Sequence, residues 1–180
     1  MLRTFRPARP MHPGLTYLKT LLHTIVFWVV FLLVLPLVIR HIEALSGLPP
    51  FEFTSQSWLP WVAFAMFGAL GIGSSVYMVI CGRGTPLPID CASQLVVAGP
   101  YQYVRNPMAI AGLGQAAAVG LLLGSAAVIF YAIFGGFVWN SLVRPIEEEY
   151  LWRSFGPSYE DYRSQVSCWL PRISPYRSTE

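Results

Sequence analysis

Residues 107–143 read PMAIAGLGQAAAVGLLLGSAAVIFYAIFGGFVWNSLV, a run of 37 positions without one charged side chain. As a single helix this run would rise about 55 Å at ~1.5 Å per residue, far more than a hydrocarbon core of ~30 Å needs. Gly120 and the Gly124-Ser125 pair lie near its middle, and glycine both weakens a helix and turns easily. The run therefore predicts a tight hairpin of two short membrane spans, 107–123 and 126–143. Short legs of this kind are accommodated by local thinning of the bilayer.

Both ends of the hairpin are polar. Upstream, residues 99–106 combine turn chemistry (Gly99-Pro100) with Tyr101, Tyr103, Arg105 and Asn106. Pro107 then opens the apolar helix, where its missing N–H costs nothing. Downstream come Arg144 and then Glu147, Glu148 and Glu149. Beyond them Leu151, Phe155, Tyr159, Tyr162 and Val166 recur at helical spacing, interrupted by Gly156-Pro157. Residues 144–180 thus predict an amphipathic helix, or two short ones, lying on the membrane surface or capping the bundle. A hairpin brings its two ends together, so Tyr101, Tyr103, Arg105 and Asn106 are expected beside Glu147 and Glu148.

The rest of the chain extends this plan. Residues 17–39 suit a first span, with His23 expected to make a hydrogen bond and Pro36 to mark a kink or exit. Residues 40–57 read as a polar loop with Arg40, His41, Glu43 and Glu52. Residues 58–80 suit a second span, with Trp58 and Trp61 at an interfacial belt. Its small residues Gly68, Gly71, Gly73, Ser74 and Ser75 point to close helix packing. In the 81–106 loop, Gly82, Gly84, Pro86 and Pro88 argue for a fixed, extended shape, and Leu95-Val96-Val97 for a short strand or an interfacial segment. The first 16 residues, basic and proline-rich, read as a disordered tail rather than a signal peptide, because the apolar run that follows is too long.

Composition agrees. Charged residues make up 12% of the 180, against about 25% in soluble domains. The expectation is an all-α polytopic membrane protein, one domain with about four transmembrane helices behind a short tail. Of the twelve Lys and Arg residues, only Arg40 falls on the far side of such a bundle. That asymmetry places both termini and the 99–106 cluster in the cytoplasm. Cations scattered along membrane edges do not make a nucleic-acid track. Cys81, Cys91 and Cys168 have neither metal-ligand spacing nor a histidine partner, so no metal site and no disulfide framework is expected.

The clustered residues suit a zwitterionic amino-acid group. Arginine grips a carboxylate with two prongs, glutamate pairs with an ammonium, and aromatic faces accept a sulfonium cation or a base. S-adenosylmethionine carries all of these. Methyl transfer then needs an aligned acceptor and the exclusion of water, both of which a membrane pocket offers to a lipophilic acceptor.

The segment Gly99-Pro100-Tyr101-Gln102-Tyr103-Val104-Arg105-Asn106-Pro107-Met108, with Gly112, resembles the Arg-His-Pro or Arg-Asn-Pro motif of the isoprenylcysteine carboxyl methyltransferase family. That family is itself similar to the membrane phospholipid methyltransferases. Gly82-Arg83-Gly84-Thr85-Pro86 resembles its bacterial members. Glu147-Glu148, Leu151, Phe155-Gly156, Tyr159, Tyr162 and Trp169-Leu170-Pro171-Arg172 resemble its later pattern. The resemblance implies an S-adenosylmethionine-dependent methyltransferase of a bacterial inner membrane. Its cofactor would be held by Gly99, Tyr101, Tyr103, Arg105, Asn106, Pro107, Gly112, Glu147 and Glu148, with Arg105 and Glu148 at the catalytic centre. The acceptor would be a lipophilic carboxylate, thiol or lipid amine. Two residues depart from the pattern. Asn106 stands where many relatives have histidine and cannot serve as a general base. Ala109 stands where many have tyrosine. A non-catalytic membrane binding or assembly protein of the same fold is the alternative reading, and nearly charge-free spans disfavour a transporter.

Overall fold

The computed structural model describes residues 13–82 and 93–177. Most of the basic tail lies outside the described residues, as do Arg83, Gly84, Pro86, Pro88 and Cys91 with the extended shape expected there. The first rod joins α1 (Pro13–Phe27), a π-helical stretch (Trp28–Val34) and α2 (Leu35–Leu45). Helix α3 (Leu59–Gly82) follows. Then come a 3-10 turn (Gly99–Gln102) and α4 (Pro107–Leu123). The last rod joins α5 (Ala126–Val138), a second π-helical stretch (Trp139–Val143) and α6 (Arg144–Phe155), before the short α7 (Pro157–Gln165). Among the described residues there is no strand, and Leu95-Val96-Val97 has no regular secondary structure. Segments Leu21–Leu45, Leu59–Gly82 and Ala126–Phe155 are long and apolar enough to cross a membrane. Helix α4, at 17 residues, is the short leg expected of the hairpin.

Two boundaries differ from the sequence reading. The first rod runs on past residue 39 to Leu45, so Arg40, His41 and Glu43 sit on a helix rather than in a loop. The hairpin's second leg does not stop at residue 143 but continues unbroken to Phe155. The segment after residue 143 therefore begins as an extension of a span, and only α7, after Gly156, caps the bundle. Proline explains why neither rod breaks. Each π stretch ends two residues before one, Pro36 or Pro145, and passes an i to i−5 bond (Leu35 N–H to Val30, Arg144 N–H to Trp139). Widening the turn carries the helix past the bond the proline cannot make and the carbonyl its ring would crowd.

The small-residue stripe of α3 packs against α4. A Cβ at Gly68 would stand 3.2 Å from the Gln115 amide nitrogen, and one at Gly71 3.3 Å from Ala111. Ser74 and Ser75 return their hydroxyls to the carbonyls of Leu70 and Gly71. His23 departs from expectation, because its Nδ1 is buried without a hydrogen-bond partner.

At the hairpin turn, Gly124 adopts a left-handed φ of +57° and Ser125 caps α5, its Oγ accepting from Val128 N–H at 3.1 Å. Loop residues hold this turn. Phe51 N–H donates to Gly124 O at 2.8 Å, and Gln56 donates its amide to Leu121 O at 3.1 Å. Glu43 completes the lock. Its buried carboxylate accepts from the Ser125 hydroxyl at 2.6 Å and from Ala127 N–H at 3.3 Å, with Arg40 3.4 Å away. An acid at a helix N-terminus meets free N–H groups and the positive end of the dipole. Sequence reasoning placed Glu43 in a polar loop. The missed signal is Ser125, a cap in an apolar run whose hydroxyl proton needs an acceptor.

Candidate functional site

At the other end of the bundle, α4 begins and α6 leaves the apolar run. Asn106 is the N-cap of α4. Its Oδ1 accepts from Ala109 N–H at 3.1 Å, satisfying one of the donors that every helix start leaves free. Its Nδ2 donates to Glu147 Oε2 at 3.3 Å. One amide thus starts the helix and ties the first glutamate of α6. Pro107, fully buried, occupies the first helical position.

Arg105 reaches the second glutamate. Its NH1 donates to Glu148 Oε1 at 2.6 Å and to the Tyr159 hydroxyl at 3.3 Å. Burial opposes the Arg105 charge, but adjacent Glu148 and Tyr159 hold the guanidinium above its ordinary pKa. Glu148 also faces Arg144 Nε at 3.3 Å and Arg163 Nε at 3.8 Å. Arg144 in turn donates to Asn140 Oδ1 at 2.8 Å, an oxygen shared with the Trp169 indole N–H.

Tyrosines line the inner side. Tyr101 is almost wholly buried, and its hydroxyl has no hydrogen-bond partner. Burial, with Glu147's charge second, pushes that phenol far above its usual pKa. Tyr159 is pushed up to about 12, chiefly by burial and then by Glu148. Burial also raises Tyr162. All three are neutral hydroxyls at any physiological pH.

The segment is held from behind. Tyr162 donates its hydroxyl to Tyr101 O at 2.6 Å. Past α7 the chain runs back along it, with Arg105 N–H on Ser167 O (2.9 Å), Arg172 N–H on Tyr103 O (2.9 Å) and Tyr176 N–H on Gln102 O (3.0 Å). Tyr159, Tyr162, Val166 and Tyr176 form a buried cluster under this strap, joined by Leu95, Val97, Leu151 and Phe155. Gly99, at φ +59°, lies so close to the Tyr77 ring that a Cβ would collide with it.

Arg105, Asn106, Glu147, Glu148 and Tyr101 are thus brought together. Three expected residues contribute differently. The Tyr103 side chain is exposed, and that residue offers the strap its carbonyl. Gly112 lies more than a turn into α4 and faces Phe27, 3.7 Å from where its Cβ would be. Gly99 serves the turn. The strap was not legible as a site element. Its signal was the tyrosine spacing of α7, which reads equally well as a surface helix. Among the described residues there is no cluster of His, Cys, Asp or Glu fit to hold a metal.

An apolar groove of about 330 Å³ opens elsewhere among the spans, lined by Trp28, Leu32, Trp61, Phe64, Val119 and Leu122 among others.

No curated protein matches the chain. Among protein families, Phospholipid methyltransferase matches residues 58–158, more than half the sequence and every element from α3 to the start of α7. The matched stretch includes Arg105, Asn106, Glu147 and Glu148, and the chain belongs to this family of membrane methyltransferases.

Proposed function

We propose that the chain transfers a methyl group from S-adenosylmethionine to a lipophilic acceptor at the cytoplasmic face of a bacterial inner membrane. The observation that carries this reading is Glu147. In a methyltransferase family, it presents a partly buried carboxylate that takes one amide hydrogen bond and, among the described residues, has no Lys or Arg within ion-pair distance. The unpartnered Tyr101 hydroxyl completes the subsite. A cationic group with several N–H donors, such as the ammonium of the cofactor, satisfies both. Arg105, Asn106 and Pro107 form the first part of the cofactor site, Glu147 and Glu148 the second, and Gly99 sets the turn beside them. When bound, the cofactor supplies an electrophilic methyl group.

The chain's own residues orient and enclose. Asn106 cannot take a proton near neutral pH. An acceptor therefore arrives as a ready nucleophile: a carboxylate, a thiolate or a neutral amine. The cytoplasmic placement rests on the positive-inside bias of the sequence.

Incubating the purified protein with methyl-labelled S-adenosylmethionine and a bacterial lipid extract tests the reading. Label is expected in the organic phase with wild type and is expected to be lost in Glu147→Gln and Arg105→Gln. Folded wild type that labels no lipid fraction overturns it.

A further inference from the structure

The strap after α7 has two faces. Val166, Cys168 and Tyr176 are buried, whereas Leu170 is 75% exposed and Ile173 fully so. These two side chains do not hang on a loose end. The backbone beside them is pinned by Arg172 N–H on Tyr103 O (2.9 Å) and Tyr176 N–H on Gln102 O (3.0 Å). One bare leucine is ordinary on a surface facing water. What sets this pair apart is its depth. The Trp169 indole N–H donates to Asn140 Oδ1 at 2.8 Å, and its ring stands edge-on to Trp139 with centroids 5.3 Å apart. Trp139 and Asn140 lie inside the uncharged run, which ends at Val143. Three helical residues rise about 4 Å, so Trp169 is tied to the apolar side of the level where the run ends. Leu170 is the next residue. Arg172 is tied to Tyr103, four residues ahead of the run's first residue, Pro107. The strap thus lies at the level of both ends of the run, where Leu142 and Ile146 of the last rod are exposed as well. From 166 to 177 it carries Arg172 and Arg177 and no acid, the composition of a segment that meets anionic headgroups.

We propose that Leu170 and Ile173 seat the strap in the leaflet at the site's end, at the boundary of acyl chains and headgroups, so that the bilayer itself backs the segment carrying Arg105 and Asn106. Trp169 is the interfacial anchor, an apolar ring whose polar tip is satisfied by Asn140. Leu170 and Ile173 bury apolar surface in lipid, and the two arginines face the headgroups. The strap's backbone holds residues 102–105 through three hydrogen bonds. Lipid contact on its outer face is therefore transmitted to the site without any side chain of the site touching lipid. The seat needs no cofactor and stands or falls apart from the methyltransferase reading.

The test uses the full chain with its native cysteines replaced, reconstituted into vesicles of phosphatidylcholine and phosphatidylglycerol, with a nitroxide label on Ile173→Cys. Collisions with oxygen, which concentrates among acyl chains, are compared with collisions with a water-soluble nickel chelate. The same label on Phe134→Cys, exposed in mid-span, and on Ser164→Cys, exposed on α7, gives the lipid and water references. The label at 173 is expected to favour oxygen over nickel, as at 134 and unlike 164. A second measurement follows amide hydrogen exchange in the same vesicles for the chain carrying Leu170→Ser with Ile173→Ser. Both side chains are exposed, so the double variant is expected to fold. Peptides covering 102–105 and 167–176 are expected to exchange about tenfold faster than in wild type, the loss of two apolar side chains from lipid. A label at 173 as open to nickel as the one at 164 overturns the seat. Exchange unchanged by the double substitution overturns the backing of the site by the bilayer.

Discussion

Asn106 does two jobs with one amide. Its oxygen caps α4 and its nitrogen holds Glu147. Alanine at this position removes both, and the lost cap alone is expected to cost about 1 kcal/mol, read as a lower thermal midpoint in detergent. Asn106→Asp keeps the capping oxygen but sets a second carboxylate against Glu147. It is expected to preserve the cap and still weaken cofactor binding. Cys168 gives an independent check on the packing behind the site. Its thiol is 7% exposed, and burial pushes its pKa up. A raised pKa leaves less thiolate at a given pH, and thiolate is the reactive form. In native protein at pH 8, N-ethylmaleimide is expected to spare Cys168 and to modify it on unfolding, as peptide mass mapping would show. At this scale the motif residues were legible, because turn residues, a cation and an amide ahead of an apolar helix have few structural uses. Glu43 was not. An acid in a polar stretch after an apolar run reads as solvent-exposed, and only the fold brings Ser125 to it across 82 residues.

The elements show what prolines do inside apolar rods. Pro36 was expected to mark a kink or exit, yet it and Pro145 are both absorbed by a π turn. The pattern of apolar residues reports where a chain leaves lipid. It does not report where the helix stops, because a rod projecting beyond the membrane keeps its hydrogen bonds whatever its polarity. The hairpin turn was legible for the opposite reason, since Gly124-Ser125 carries its own conformational chemistry. Gly124 cannot accept a side chain, since φ is +57° and a Cβ would strike the Phe51 carbonyl. Gly124→Ala is expected to destabilise by more than about 1 kcal/mol. Gly73→Ala serves as the control, because nothing lies within 4 Å of a Cβ there. It is expected to leave the thermal midpoint within about 0.5 kcal/mol of wild type. Equal effects of the two would mean that loop 47–57 does not hold the turn.

On the scale of the whole molecule, one end of the bundle is locked and the other is furnished for binding. Glu43, Gln56 and Phe51 fix the hairpin turn at one end. Helices α4 and α6, α7 and the strap after it converge at the other. The hairpin that places Arg105 and Asn106 beside Glu147 and Glu148 followed from length arithmetic and the glycines at the middle of the run. The strap could not, because its hold on residues 102–105 runs through backbone groups that every sequence possesses. From the charge bias of the sequence we propose that the furnished end faces the cytoplasm. Single cysteines at Ser46 and Ser164, with the native cysteines replaced, are expected to label from opposite sides of spheroplasts and inverted vesicles.

The most direct test of the central claim is calorimetric titration of the purified, full-length protein with S-adenosylmethionine, for wild type and Glu147→Gln. Wild type is expected to bind with one site per chain. Glu147→Gln is expected to weaken binding by about tenfold or more with an unchanged thermal midpoint, the loss of a charge-assisted contact in a partly buried site. Absence of binding by folded wild type, or equal affinity in the two proteins, would contradict the account.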